Sequence, residues 1–255
     1  MTISASVSTS SLSLAEFAEQ SNPRTLDEAR KAGFQSAGFQ SATRVHGSVL
    51  AAVEKRTLVW MAERMPPWVS SDQLTALGFA AQIATGVCYA LSVYDRRMLL
   101  AAIACLALNW FGDSLDGTLA RVRLRQRPRY GFYIDHIIDS IGAVTMMGGL
   151  ALSGYMHPVI AVGLLIGFLL LSIQSYLATY TLGEFHLSVW GFGPTELRVL
   201  LAVGNLAAFH WAWVMGGRFR LFDLGGAIGL AVMAVMLLVV CWKNTVRLYR
   251  EERIL

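Results

Sequence analysis

Charged residues are scarce in this sequence. Only 15% of its 255 residues are Asp, Glu, Lys or Arg, whereas 55% are hydrophobic, and the mean hydropathy is +0.50. A chain of this size cannot hide so much apolar surface in one soluble core of ordinary proportions. The composition therefore argues against a soluble globular protein and predicts a membrane protein.

Cysteine is also rare, and histidine pairs with metal-ligand spacing are missing. Cys88, Cys105 and Cys241 each lie inside an apolar run, without the paired spacing of a zinc site or a disulfide framework. The net charge of +4 arises from basic residues at the ends of apolar runs, not from a basic surface interleaved with aromatic residues. We therefore expect neither a zinc centre nor a nucleic-acid partner.

The N-terminal region lacks the basic start and the apolar core of a signal peptide. Residues 1–44 are rich in Ser, Ala and Thr and predict a flexible cytosolic arm. Residues 45–66 alternate apolar and charged positions, which predicts an amphipathic helix that ends at Pro66 and Pro67. This helix could lie on the membrane surface or pack on the cytosolic face of the protein itself.

Six apolar segments follow within residues 67–247. Each is long enough to cross a hydrocarbon core of about 30 Å, which takes roughly 20 residues. The predicted spans are 73–94, 98–121, 131–154, 157–181, 194–216 and 221–243. Placing the arginine-rich loop that follows the second span in the cytosol puts 17 Lys and Arg residues inside and four outside. The predicted fold is an all-α polytopic membrane protein with six transmembrane helices, whose termini, including a tail at 248–255, lie in the cytosol.

The second of these spans contains two aspartates, in the stretch FGDSLDGTLAR at 111–121. Two neighbouring carboxylates in a membrane helix are costly unless a cation joins them. Asp113 and Asp116 share one helix face, which Gly117 and Ala120 continue. Small side chains there would let a phosphate or a nucleotide approach the helix backbone.

A second pair of aspartates lies on the next span. Asp135 and Asp139 share a helix face shortly after Gly131. If the second and third spans pack as an antiparallel hairpin, the four carboxylates converge below the cytosolic surface. Such all-oxygen ligands suit one or two ions of magnesium, manganese or calcium.

Other protein classes use similar residues. The letters DGTL occur in haloacid dehalogenase-like phosphatases, but there one residue separates the aspartates and a buried strand precedes them, so we set that interpretation aside. A proton or cation carrier is the stronger alternative, because intramembrane carboxylates also mark ion pathways. Against a carrier, all four aspartates crowd toward one side of the membrane.

The spacing as a whole resembles the signature of the CDP-alcohol phosphotransferase family: D-x-x-D-G-x-x-A-R, eight or nine residues, then G-x-x-x-D-x-x-x-D. Every fixed position is filled, and the family also places this motif on the second and third of six membrane helices. The positions are Asp113, Asp116, Gly117, Ala120, Arg121, Gly131, Asp135 and Asp139.

The resemblance implies transfer of a substituted phosphate from a CDP-linked donor to an alcohol, with release of CMP. It implies that Asp113, Asp116 and Asp135 bind the metal, as two Mg²⁺ or Mn²⁺ ions, and that Asp139 is a further ligand or the general base. It also implies a nucleotide pocket formed by Asp116, Gly117, Ala120, Arg121 and Gly131. Because family members are commonly homodimers, we expect a homodimer.

Residues outside the motif carry weaker signals. Glu196 and Arg198 lie at the cytosolic start of the fifth span and could contact the acceptor or its phosphate, although Arg198 could equally be a positive-inside anchor. Asn109, one turn before Asp113, could orient a carboxylate or form a hydrogen bond between helices.

The signature leaves the two substrates open. Compact size and short loops favour the bacterial-type enzymes that use CDP-diacylglycerol and a small hydroxyl acceptor, in the bacterial inner membrane with the active site facing the cytoplasm. CDP-choline or CDP-ethanolamine with diacylglycerol is the alternative. The segment MPPWVSSDQLTALG before the first span resembles a segment shared by both branches and does not separate them. An ion-coupled carrier is the alternative from another functional class.

Overall fold

Helices and one short β-hairpin make up the part of the chain that the computed structural model describes, residues 49–182 and 194–253. The predicted arm at 1–44 lies outside these described residues. The elements are α1 (Val49–Arg64), α2 (Ser71–Leu91), α3 (Met98–Val122), α4 (Pro128–Leu152), α5 (Pro158–Leu182), α6 (Pro194–His210), β1 (Trp213–Val214), β2 (Phe219–Arg220) and α7 (Leu221–Glu251).

Local sequence explains where the first membrane helices begin. The Ser70 hydroxyl accepts a hydrogen bond from the backbone N–H of Gln73, whose side chain accepts one from the Ser70 N–H, and this reciprocal capping starts α2. Pro128 occupies the first position of α4, where its missing N–H costs nothing.

Helix α2 is the central helix, and glycines let its neighbours approach closely. A Cβ on Gly112 of α3 would stand 2.5 Å from the backbone nitrogen of Gly78 on α2. A Cβ on Gly149 of α4 would stand 2.0 Å from the carbonyl oxygen of Gly86 on α2. Both contacts exclude any side chain, so α3 and α4 pack against α2 through bare backbone.

The predicted amphipathic helix is present as α1 and packs on the protein itself. Leu58 and Ala62 are buried in an apolar cluster with Leu74, Leu115 and Leu119, which belong to α2 and α3. The opposite side of α1 exposes 54% of Trp60, with the Arg64 guanidinium 4.4 Å from the centroid of its ring. Of the two predicted positions for this helix, the structure supports packing on the protein.

Four of the described helices, α2, α3, α5 and α7, are long and apolar enough to cross a membrane. Helix α4 carries two aspartates in its first half, and α6 has only 17 residues. These two helices correspond to predicted spans, but neither is both long and apolar enough to be counted with the other four. The count of six spans stays a prediction.

The fifth predicted span, 194–216, is wrong at its C-terminal end. Helix α6 ends at His210, and the chain then forms an antiparallel hairpin that pairs Trp213 with Arg220. Met215, Gly216 and Gly217 have φ values of 53°, 70° and 84°, a left-handed run that turns the chain and cannot continue a helix. The last helix runs to Glu251, beyond the predicted span end at 243.

Candidate active site

The four aspartates of the motif lie on α3 and α4, which flank α2. Asp113 and Asp116 lie toward the end of α3, and Asp135 and Asp139 lie in the first half of α4. These two helices pack extensively against α2 but not against each other. Helix α2 thus lies between the two helices, and few contacts join α3 to α4 directly.

The carboxylates nevertheless come within electrostatic reach of one another. Asp139 interacts with the charges of four other side chains: Asp113, Asp116, Asp135 and Arg198. Asp116 interacts in turn with the charges of Asp113 and Asp135. Each of the four aspartates is partly buried. The structure thus gathers the whole predicted acidic set into one half-buried cluster.

Arg198 of α6 enters this cluster as its cation. Its Nη2 donates a 2.6 Å hydrogen bond to Oδ2 of Asp113, and its Nε donates a 2.8 Å bond to Oδ1 of Asn109. Asn109 is buried, and its Nδ2 donates to the backbone oxygen of Gly78 at 2.9 Å. Asn109 therefore forms the expected hydrogen bond between helices and orients the arginine, not a carboxylate.

Asp116 is held by its own turn and by α2. Its Oδ2 accepts a 2.6 Å hydrogen bond from the Thr75 hydroxyl, and its Oδ1 accepts one of 2.5 Å from the backbone N–H of Gly117. The Ser71 hydroxyl donates to the backbone oxygen of Asp116 at 2.8 Å. These contacts fix the rotamer of the carboxylate and the register between α2 and α3.

The donor set fits a hard divalent cation by its chemistry. Four carboxylates within mutual electrostatic reach supply the oxygen ligands that Mg²⁺ and Mn²⁺ prefer, and gathering them without a cation costs repulsion. Within the described ranges, however, no three Asp, Glu, His or Cys side chains stand in an arrangement that could hold an ion directly. Arg198 on Asp113 supplies positive charge at one edge of the cluster instead.

The predicted nucleotide-binding residues lie on the same end of α3 and at the start of α4. A Cβ on Gly117 would touch only the Arg121 guanidinium, at 3.5 Å from Nη1, and a Cβ on Gly131 would meet no atom within 4 Å. Ala120 is partly buried, and Arg121 donates from Nη2 to the Thr118 hydroxyl at 3.0 Å. Unlike Gly112 and Gly149, neither glycine of the motif packs against the backbone of another helix: Gly117 faces the Arg121 guanidinium, and Gly131 borders open space.

Of the predicted acceptor contacts, Arg198 reaches the cluster, whereas Glu196 lies partly buried in the first turn of α6. The Arg198 side chain is only 14% exposed and pairs with Asp113, so it does more than anchor the helix end as a positive-inside residue.

Sequence reasoning missed Thr75 and Ser71 as supports of Asp116. A signal was present, because Thr75 and Gly78 both lie in MPPWVSSDQLTALG, the segment that resembles one shared by both branches of the family. Both residues act on α3: Thr75 bonds Asp116, and Gly78 admits the backbone around Gly112. Sequence reasoning also missed Glu54, which no motif marks.

Comparison with known proteins finds relatives of this chain. Archaetidylinositol phosphate synthase of Pyrococcus horikoshii is 30% identical over 113 residues, which cover 44% of this chain and 53% of the relative. The chain thus spans about half the length of the curated relative that it matches.

A solved structure shares the fold. The crystal structure of the phosphatidylinositol phosphate synthase PgsA1 of Mycobacterium tuberculosis with CDP-DAG bound matches with a TM-score of 0.54 at 17% identity. The match covers 76% of this chain and 94% of that one. A model of the CDP-alcohol phosphatidyltransferase family matches residues 68–243, well over half of the sequence. The chain therefore belongs to the CDP-alcohol phosphatidyltransferase family, a family of membrane-embedded phosphotransferases of phospholipid biosynthesis.

Proposed function

We propose that this protein transfers a phosphatidyl group from CDP-diacylglycerol to a small alcohol that carries a phosphate, and releases CMP. The observation that carries the proposal is the cluster of four motif aspartates into which Arg198 projects. The matched solved structure, which has CDP-DAG bound, supports this donor over CDP-choline or CDP-ethanolamine.

The acidic residues would hold the ions and the reacting groups in place. Asp113, Asp116 and Asp135 would bind one or two Mg²⁺ or Mn²⁺ ions, which when bound neutralise the diphosphate and stabilise the leaving phosphate. Thr75 would keep the Asp116 carboxylate aimed at this site through its 2.6 Å hydrogen bond.

Asp139 would serve as the general base. An oxygen of its carboxylate would take the proton of the acceptor hydroxyl as that hydroxyl attacks the phosphorus of the phosphatidyl group. The bond from this phosphorus to the oxygen of CMP then breaks, and CMP leaves with the electron pair. The charge interaction of Asp139 with Arg198 supports this role, because it brings the base within electrostatic reach of the proposed acceptor-binding residue.

Arg198 is the reason to expect a phosphate on the acceptor. Its guanidinium is a planar fork of donors that suits phosphate, and its 14% exposure would leave a bound phosphate largely shielded from water. Both named relatives are synthases of inositol phosphate lipids, which agrees with a phosphorylated alcohol as the acceptor. Glu196, on the same first turns of α6, would contact the acceptor hydroxyls.

The open space beside Gly131, together with the side of Gly117 that faces the Arg121 guanidinium, would admit the cytidine nucleotide. Asp116, Gly117 and Ala120 would border it on α3, and Arg121 would contact the diphosphate. Because glycine has no side chain, the nucleotide could approach the helix backbone at these two positions.

We also propose that the active site faces the cytoplasm of a bacterial cell, from its inner membrane. The basic loop after α3 supports this orientation. Arg123 of that loop donates hydrogen bonds to the backbone oxygens of Met65, Pro66 and Val69, so α1, the loop and the aspartates lie at one end of the bundle.

A homodimer remains part of the proposal. Helices α5 and α7 present wide apolar faces, with Ile173, Leu177 and Val232 more than half exposed. Such faces suit either lipid or a second copy of the chain.

The test is CMP release by the purified full chain in detergent micelles with radiolabelled CDP-diacylglycerol and Mg²⁺ or Mn²⁺. The acceptors are inositol phosphate, glycerol phosphate, inositol and serine. Wild type is compared with Asp113→Asn and Asp139→Asn, and with Asp95→Asn as a control. Asp95 is exposed and only caps the turn at Arg97.

We expect metal-dependent release with a phosphorylated acceptor, strongly reduced in both motif variants at the same metal concentration and kept in the control. Release only with CDP-choline or CDP-ethanolamine and diacylglycerol would overturn the donor assignment. Flux of an ion across vesicles, with no CMP from any donor, would instead favour the carrier.

A further inference from the structure

We propose that Glu54, on helix α1 outside the membrane bundle, is a positioning residue for Arg198. The inference rests on the proposed function, in which Arg198 binds the acceptor phosphate. Glu54 Oε1 accepts two hydrogen bonds of 2.8 Å, one from Trp110 Nε1 on α3 and one from the Thr195 hydroxyl on α6. One carboxylate oxygen thus bridges the motif helix and the helix that carries Arg198.

This bridge lies one turn from the contacts of Arg198 itself. Trp110 directly follows Asn109, which accepts from Arg198 Nε, and Thr195 precedes Arg198 by three residues on the same helix face. Two polar links therefore join α3 to the start of α6: Trp110 through Glu54 to Thr195, and Asn109 with Asp113 to Arg198.

The first turns of α6 bury little apolar surface. Leu197, Val199 and Leu200 are 42%, 53% and 58% exposed, and the buried residues of this helix, Asn205 and Ala208, come only in its second half. A helix end without apolar burial depends on its polar contacts for a fixed position.

Helix α1 can supply that fixed point because it is itself anchored. Leu58, one turn after Glu54, packs in the buried cluster with Leu115 and Leu119 of α3. Glu54 therefore projects from a helix docked on the motif helix. Through it, α1 becomes part of the acceptor site without touching substrate.

Kinetics separate positioning from general damage. The variants are Glu54→Ala, which removes the acceptor oxygen, Glu54→Gln, which keeps an oxygen that can accept both bonds, and Glu63→Ala as the control on the exposed side of α1. We expect Glu54→Ala to raise the KM for the phosphorylated acceptor about tenfold, the effect of roughly one lost hydrogen bond. The KM for CDP-diacylglycerol should stay unchanged, Glu54→Gln should restore most of the loss, and Glu63→Ala should match wild type.

Hydrogen exchange gives a readout that does not need activity. We expect backbone amides at 198–204, beyond the first turn of the helix, to exchange faster in Glu54→Ala and at the wild-type rate in Glu63→Ala. Unchanged exchange, or a donor KM that rises as much as the acceptor KM, would overturn the inference. A wild type that releases no CMP from any donor would contradict the proposed function. Hydrogen exchange alone would then decide whether Glu54 fixes the position of α6.

Discussion

Arg198 and Asp113 form an ion pair with 2.6 Å between Nη2 and Oδ2, in which only 14% and 27% of the two side chains are exposed. The arginine thus pairs with one carboxylate of the motif, while its Nε donates a hydrogen bond to Asn109. A guanidinium so placed can pass from the carboxylate to an incoming phosphate without leaving the cluster. Under the proposed function, Arg198 would couple the acceptor phosphate to the acidic site.

Substitution of Arg198 tests this coupling. We expect Arg198→Ala to lower kcat/KM for the phosphorylated acceptor about 100-fold, because hydrogen bonds to charged groups contribute roughly 1.5–3 kcal/mol. Arg198→Lys keeps the charge but not the planar fork of donors. Its kcat/KM should therefore lie between those of wild type and Arg198→Ala. Initial rates at varied acceptor concentration measure the effect. Arg247→Ala, in an exposed pair with Glu251, is the control, and an equal loss there would contradict the assignment.

The Thr75 hydroxyl should set the metal requirement through Asp116. We expect Thr75→Val to raise the Mg²⁺ concentration for half-maximal CMP release about tenfold, since groups that orient metal ligands typically contribute 10- to 100-fold in affinity or activity. Thr75→Ser should restore the wild-type value. Thr85→Val is the matched control, because the Thr85 hydroxyl bonds only the Ala81 carbonyl of its own helix. A Thr75→Val enzyme with the wild-type Mg²⁺ requirement would show that this hydrogen bond is structural only.

Much of the fold could be predicted because membrane helices are recognisable as long apolar segments. Predicted spans at 98–121 and 157–181 agree with α3 and α5 within one residue at each end. The hairpin after α6 could not be predicted the same way. Its residues Trp213, Val214 and Phe219 are as apolar as those of a span, so hydropathy cannot distinguish the strand pair from a helix.

The candidate site, too, could be predicted only in part. Motif spacing predicted the family, which is confirmed, and the acidic cluster that the structure gathers; the roles of its residues stay predictions. Contacts of Thr75 with Asp116 and of Glu54 with Thr195 join residues 41 and 141 positions apart. Pairings at such separations arise from packing and leave no periodic trace in a single sequence.

Metal removal should stop the reaction and separate a base from a ligand. We expect a chelator to abolish CMP release and Mg²⁺ or Mn²⁺ to restore it. With Asp139 as the base, Asp139→Asn should lower kcat by about 100-fold or more and leave the Mg²⁺ requirement unchanged, since general-base catalysis contributes 10² to 10⁴. Asp113→Asn should raise that requirement. An Asp139→Asn enzyme that recovers at high Mg²⁺ would identify Asp139 as a ligand instead.

Glycine packing should determine the stability of the bundle at α2. We expect Gly149→Ala to lower the thermal unfolding midpoint by several degrees, because its Cβ would stand 2.0 Å from the Gly86 carbonyl oxygen, and overpacking costs about 1–3 kcal/mol. Gly148→Ala is the matched control, since its Cβ would meet nothing within 4 Å. Tryptophan fluorescence on heating in detergent measures both. Equal midpoints would show that α2 and α4 can separate without cost.

The topology can be tested by labelling single cysteines in cells with a thiol reagent that does not cross membranes. Cys88, Cys105 and Cys241 are first replaced by alanine. With six spans and a cytosolic active site, Arg96→Cys, His157→Cys and Arg218→Cys should label from outside, and Arg125→Cys only after permeabilisation. Helix α4 separates Arg125 from His157, and α6 with the hairpin precedes Arg218, so these sites test the two helices that fall short in length or composition. Labelling of Arg125→Cys and His157→Cys from the same side would mean that α4 does not cross, and the aspartates would then belong to a site at the membrane surface.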